Sequence, residues 1–244
     1  MQRLIRFIFI LNLIAGTVSA QSVFKLKDDN GGIRPKLQLG EKTIISAPDE
    51  GLWSVATAWE NKWPAQWHHA SPVSMEQSGD WQIVKGEIVL PQGVMKVRDA
   101  YRNEKGLVHC IRRFEWTGKS DIDSLTLSVR WNVTGKGLQA FLPGIVYYGN
   151  PSGTKNTPNC VASYSGKAGE KAIFEDHRYP MPFACLESSV ADKFGAVIHT
   201  VPSPLRDAKL FDHWWSMGVE AFDDHAELVL YSGNKSQETP DAAD

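Results

Sequence analysis

From Trp81 to Trp131 the apolar and polar positions alternate with the two-residue period of half-buried β-strands. Val84, Ile88 and Leu90 fall on one side of the first segment, Ile83, Lys85, Glu87 and Val89 on the other, and Pro91-Gln92-Gly93 ends it. Met95, Val97, Asp99 and Tyr101 then share a face opposite Lys96, Arg98 and Arg102, and Asn103-Glu104-Lys105-Gly106 supplies a Gly-ended hairpin turn. The partner strand, Leu107 to Trp116, alternates through Val108, Cys110, Arg112 and Phe114. After a turn at Gly118-Lys119-Ser120-Asp121, the residues Leu125, Leu127, Val129 and Trp131 form another apolar face, so the pattern predicts an antiparallel meander. Further strands are expected at Ala140–Tyr148, Lys171–Glu175, Ala184–Val190, Gly195–His199 and Glu227–Tyr231, with turns between them. Helix signals are few. Trp59, Trp63 and Trp67 lie four apart and would stripe one helix face, but Pro64 interrupts the run, so Leu52–Trp67 is expected to be a short helix or a loop. The fold class predicted is all-β: an antiparallel β-sandwich or supersandwich with long loops and at most one or two short helices.

The ends of the chain read differently from its middle. Arg3 and Arg6 precede an apolar run from Phe7 to Ile14, and Thr17-Val18-Ser19-Ala20 adds small residues ahead of Gln21, the layout of a secretory signal peptide cleaved after Ala20. Asn12 breaks the run, which falls short of the roughly 18 to 20 apolar residues that span a bilayer, so no membrane span is expected after cleavage. The expected organisation is therefore a signal peptide at 1–20, one β-sandwich domain at 21–233 and a flexible tail at 234–244, in a protein exported to the periplasm or the extracellular space. The other organisation this end allows is the front piece of a longer secreted protein in which a further domain follows.

Composition narrows the functions. A formal charge of -2, moving to -4 when Arg3 and Arg6 are removed, lacks the diffuse positive field of a nucleic-acid binder. Three cysteines, Cys110, Cys160 and Cys185, are too few for a disulfide framework; Cys160 with Cys185 is the pair best placed to stiffen a loop-rich stretch, and Cys110 sits in a strand pattern that suits a buried thiol. His68 and His69 are adjacent and the other five histidines scattered, without paired zinc-ligand spacing, and Asp28-Asp29-Asn30-Gly31-Gly32 lacks an ordered calcium loop and reads as a turn. No metal or other cofactor is implied.

Candidate chemistry lies in the long stretch from Tyr147 to Phe183. Glu175-Asp176-His177-Arg178-Tyr179 packs two carboxylates, an imidazole, a guanidinium and a phenol into five positions, and Tyr148 and Asn150 stand in the loop before it. A structural alternative has Asp176 capping a turn while Arg178 pairs with Glu175. Nine tryptophans bring carbohydrate into consideration, because indole faces stack on sugar C–H surfaces and the N–H binds hydroxyls. Trp59, Trp63, Trp67, Trp214 and Trp215 lack clean strand alternation and are the candidates to face a ligand, whereas Trp81, Trp116 and Trp131 fit a core. Glycoside hydrolysis needs two carboxyl groups at a fixed separation. Glu175 and Asp176 are the candidate acid and base, with His177, Arg178, Tyr179, Tyr148, Asn150, Trp214 and Trp215 as candidate substrate contacts. Asp223-Asp224-His225 reads as a solvated turn.

The run Arg112-Arg113-Phe114-Glu115-Trp116-Thr117-Gly118 with Ser124-Leu125-Thr126-Leu127-Ser128-Val129, the Pro143–Asn150 loop and the Glu175–Pro182 loop together resemble the N-terminal β-sandwich, a galactose-mutarotase-like supersandwich, of secreted bacterial glycoside hydrolases. The resemblance covers about Trp53 to Tyr231. It implies an exported domain that binds carbohydrate or assists its processing, and that commonly precedes a helical catalytic barrel. No such barrel is present in these 244 residues, and no catalytic residue is carried over. A non-catalytic scaffold that docks on another domain or protein is the alternative.

Overall fold

The computed structural model describes residues 5–13, 22–27, 31–60, 63–104, 107–119, 125–141, 166–175, 183–187, 195–200 and 213–234. Their regular structure is all strand. In chain order these are β1 (Ile5–Leu13), β2 (Ser22–Lys27), β3 (Ile33–Leu39), β4 (Lys42–Ser46), β5 (Trp53–Glu60), β6 (Trp63–Ala70), β7 (Ser74–Ser78), β8 (Trp81–Leu90) and β9 (Gly93–Glu104). They continue with β10 (Leu107–Trp116), β11 (Thr126–Thr134), β12 (Gln139–Phe141), β13 (Lys171–Glu175), β14 (Phe183–Glu187), β15 (Gly195–Thr200), β16 (His213–Ala221) and β17 (His225–Asn234). The first sheet runs β12-β14-β15-β1-β10-β9-β8-β7 and the second β13-β16-β17-β11-β4-β3-β2, with β5 also pairing β11 and β6 pairing β5. Every pairing is antiparallel, which is the sandwich expected from the alternation.

One apolar core joins the inner faces. Val84, Ile88, Met95, Val97, Val108 and Phe114 come from the first sheet, and Leu37, Ile45, Val55, Leu127, Val129, Trp131 and Leu228 from the second. The inward set of β9 and β10 is the one the period of two selects. That set also carries charge into the core. Glu104 pairs with Leu107, and from there the ladder runs without a slip, so Asp99 stands opposite Arg112 and Tyr101 opposite Cys110. Asp99 and Arg112 are both fully buried. Arg112 donates from Nε to Asp99 Oδ1 and from Nη2 to Oδ2, both at 2.8 Å, and from Nη1 to the Ser128 carbonyl at 3.2 Å. Oδ2 also accepts from Trp53 Nε1 at 2.9 Å and from the Tyr101 hydroxyl at 2.7 Å. The forked pair is thus hydrogen-bonded to three further groups on three different strands, which a charge pair removed from water requires. Burial and the Asp99 charge push the Tyr101 phenol well above 10.0, and the Cys110 thiol is raised well above 9.0 for the same reasons.

Several expectations change. Leu52–Trp67 is neither helix nor loop over its described part: Trp53–Glu60 and Trp63–Ala70 form the β5–β6 hairpin. β-branched and aromatic residues favour the strand, and Pro64 is tolerated because β6 has β5 as its single neighbour, leaving an edge where a missing N–H costs nothing. Trp53, outside the expected core, is completely buried. Trp214 and Trp215 lie inside β16, paired on both sides by β13 and β17, and not in irregular chain. The segment between Ser22 and Ser46, for which the alternation suggested only the turn near Gly31, contributes three strands. Cys110 and Cys185 carry free thiols, and Cys160, the partner expected for Cys185, lies outside the described residues. Among the described residues no helix is long and apolar enough to cross a membrane. Residues 5–13, expected within the signal peptide, appear as β1 between β10 and β15.

Two variants test the interior. Asp99→Ala is expected to lower unfolding free energy by about 3–5 kcal/mol, because it strands the Arg112 charge. The Asp99→Leu, Arg112→Met double variant should lose less than either single one in urea titrations. Gly86→Ala places a Cβ 2.6 Å from Trp53 Cζ3 and 3.1 Å from the Ser71 carbonyl oxygen. It is expected to cost about 1–3 kcal/mol by overpacking, measured by the same titration.

Candidate functional site

An open cleft of about 590 Å³ lies where the β7–β8 turn and the end of β9 meet β2. Gly79, with φ near +57°, makes the tight turn that carries Asp80 between β7 and β8. β9 runs on beyond the pairing of Tyr101 with Gln82, so that Arg102, Asn103 and Glu104 reach the cleft wall. The other lining groups are Gln77, Gln82 and, on the aromatic side, Phe24 and Tyr101, whose ring centroids are 5.1 Å apart. The Arg102 guanidinium sits 4.9 Å from the centre of the Trp81 ring and bonds Glu104 at 3.2 Å through Nη2, while its buried Nε has no hydrogen-bond partner. Gln77 is held by donating from Nε2 to the Gly79 carbonyl at 2.6 Å. The wall therefore combines amide donors and acceptors, carboxylates and a guanidinium with an aromatic edge. That mixture suits a neutral or mildly charged ligand rich in hydroxyls.

A second polar constellation lies on the outer face of β11 and β17 under the β5–β6 hairpin. Arg130 Nη2 donates to Glu227 Oε2 at 2.7 Å and also to Glu50 Oε1, and Nη1 donates to Ser54 Oγ at 3.3 Å. Ser54 Oγ is 2.7 Å from His69 Nδ1. Since Arg130 can only donate, the Ser54 hydroxyl is free to donate to His69 Nδ1, which fits a neutral imidazole. Beside them Trp67 packs against Tyr231 with ring centroids 5.5 Å apart. Burial acts against the Glu50 carboxylate, but the Arg130 hydrogen bond and charge hold it below 4.5. Burial likewise opposes the Arg130 charge, and the two glutamates more than restore it. Burial, then Arg130, push the His69 imidazole below 6.5. Although Ser54 and His69 resemble a nucleophile and its base, Ser54 is only 2% exposed and already shares its oxygen with Arg130. The constellation fastens the hairpin to β11 and β17.

Of the residues that sequence patterns single out, Glu175 ends β13 with its backbone opposite Ser216 of β16, next to Trp215. Trp214 and Trp215 pair with Gly233 and Ser232. The ladder thus brings Glu175 and the Trp214–Trp215 pair to one end of the second sheet. Asp176, His177, Arg178, Tyr179, Tyr148 and Asn150 lie outside the described residues. Asp223 and Asp224 are exposed between β16 and β17, the solvated turn expected of them, with His225 Nδ1 2.7 Å from Asp224 Oδ1. The cleft residues escaped the sequence reading because they are contributed by β2, the β7–β8 turn and β9, which no local motif links. A usable signal was Arg102 at the close of a hairpin strand opposite Trp81. Among the described residues no three His, Cys, Asp or Glu side chains are grouped to hold a metal ion. Compared with known proteins, the chain matches no protein-family model, no curated protein and no solved structure.

The His69 shift has a pH consequence. Its folded-state value lies below the unfolded one, so the stability it contributes is present above about pH 6.5 and is lost as pH falls below it. The urea midpoint of the wild type is expected to fall between about pH 7 and about pH 5, and His69→Gln should flatten that part of the profile. Glu50 loses its contribution only at lower pH, below 4.5, and so leaves this window clear.

Proposed function

We propose that this chain is an exported β-sandwich protein that binds carbohydrate, with the cleft between β2, the β7–β8 turn and the end of β9 as its contact surface. The observation that carries the reading is the wall itself: Gln77, Gln82 and Asn103 beside Asp80, Glu104 and Arg102, with Phe24 and Tyr101 along one side. Side-chain amides donate to and accept from sugar hydroxyls, carboxylates accept from them, and the half-buried Phe24 ring offers an apolar surface to the C–H face. Glu104 is occupied by Arg102, which suits binding better than acid–base chemistry. The reading holds equally for a protein that acts alone and for the front domain of a larger glycoside hydrolase. Docking as a scaffold is supported less, since among the described residues the exposed large apolar side chains are few: Val73 just before β7 and Met75 on it, and single residues Val23 on β2, Val89 on β8 and Phe222 after β16.

Export has a structural corollary. Cleavage after Ala20 removes β1, so the mature first sheet holds β10 and β15 without the strand now between them. Mass spectrometry of the secreted protein should find Gln21 at the N-terminus. Recovery of the protein with residues 1–20 attached contradicts the export reading.

Binding is tested on a glycan array with the full chain and a Gln77→Ala, Asn103→Ala variant. Both side chains are exposed, so the variant should keep the wild-type melting temperature. At least one glycan should be retained by the wild type and bound at least tenfold more weakly by the variant. Equal binding by both proteins removes the cleft from the account, and no glycan bound by either removes carbohydrate.

A further inference from the structure

On the outer face of the first sheet, direct cross-strand pairing sets Lys85 opposite Arg98 and Arg98 opposite Arg113. This is a row of three cations across β8, β9 and β10, with neighbours about 5 Å apart. Like charges placed directly opposite destabilise a sheet, and the adjacent row shows how this sheet ordinarily avoids it: there Lys96 stands between Glu87 and Glu115. Lys85 is neutralised from the side by Glu76 at 2.7 Å. Arg98 and Arg113 have no ion-pair partner among the described residues, and Arg113 Nε is buried without a hydrogen-bond acceptor. Both side chains are half-buried, so their charges are less well hydrated than those of exposed lysines. In the uncleaved chain β1 places Arg6 at the register position beside Arg113, but the pair at Arg98 and Arg113 does not depend on it.

We infer that Arg98 and Arg113 form an anion subsite for the sulfate or carboxylate groups of an acidic polysaccharide. The inference rests on the carbohydrate reading and extends it from the cleft onto the outer face, which Arg102 also borders on the same side of β9. Guanidinium groups meet such oxyanions through paired N–H donors, and among the described residues no carboxylate takes up those of Arg98 or Arg113. A nucleic acid is the poorer fit. The basic row is one residue wide, its neighbouring row contains two glutamates, and the chain is acidic overall at -2, whereas a phosphate backbone needs a continuous basic track.

The test compares retention of the full chain on immobilised dextran, dextran sulfate and polygalacturonate, with a DNA duplex in parallel. Dextran and dextran sulfate share a backbone and differ in the anion. Expected is retention on at least one acidic polymer, elution by salt, and at least tenfold weaker binding by an Arg98→Gln, Arg113→Gln variant. A Lys25→Gln, Lys27→Gln variant, which removes the same charge from β2, should bind as the wild type does. The arginine variant should melt at or above the wild-type temperature, because it relieves repulsion; a melting temperature lowered by several degrees would show the arginines to be structural and overturn the inference. Retention unchanged in the arginine variant, retention on neutral dextran alone, or equal retention on DNA also overturns it. Loss in the arginine variant with no loss in Gln77→Ala, Asn103→Ala leaves the subsite standing and removes the cleft instead.

Discussion

The Asp99–Arg112 pair is the constraint to which the two sheets are fitted. Its carboxylate accepts from Trp53 on β5 and Tyr101 on β9, and its guanidinium reaches the Ser128 carbonyl on β11. A charge pair in the core is tolerated only when every donor and acceptor is met, so the distance between the sheets at this point is set by hydrogen-bond lengths and not by the softer demands of apolar packing. Around it the aromatic rings take up fixed places: Tyr101 meets Trp131 edge-on with centroids 6.4 Å apart, and the Phe24 ring lies tilted against Tyr101 at 5.1 Å. Because Tyr101 is both a ligand of Asp99 and part of the cleft wall, the interior network orients one side of the candidate binding surface. Core and site share a residue, and the rigidity of the first is passed to the second.

Much of this was present in the alternation of residues. The inward set Met95, Val97, Asp99, Tyr101 and its partners Val108, Cys110, Arg112, Phe114 follow from the period of two, and the hairpin between them sets Asp99 against Arg112 without any further information. What the pattern concealed was the β5–β6 hairpin. Tryptophans spaced by four are compatible with a helix, and the decision for a strand comes from neighbours in space: Thr126, Leu127 and Ser128 of β11 pair with Ala56, Val55 and Ser54. β16 was hidden because His213-Trp214-Trp215-Ser216 breaks the alternation locally, and its place comes from the ladder with β17.

The candidate site was less visible than the fold because it is made of ends. Phe24 comes from one sheet, Gln77 and Asp80 from the borders of a turn, and Asn103 and Glu104 from the overhang of a hairpin strand. Local sequence chemistry points instead to the dense polar run from Glu175 to Tyr179, where charge and aromatic character are concentrated within five positions. The cross-strand row at Arg98 and Arg113 occupies an intermediate position. Alternation places Arg98 opposite the inward set of β9, and its meeting with Lys85 and Arg113 depends on register, which the hairpin turn determines but composition does not display.

The second sheet divides along one edge of β11, which pairs with β4 near Asn132 and with β5 near Ser128, while its other edge is covered by β17. Its partners are thus drawn from far apart in the chain. Ser128 reaches back 74 residues to Ser54, and Arg130 reaches forward 97 residues to Glu227. Closing loops of that size precedes any gain from the contacts, so the central strand completes its ladder only once β17 is available, and folding is expected to be slow. Until β17 is in place, β11 presents an unpaired backbone edge, and during that interval it is open to pairing with another molecule.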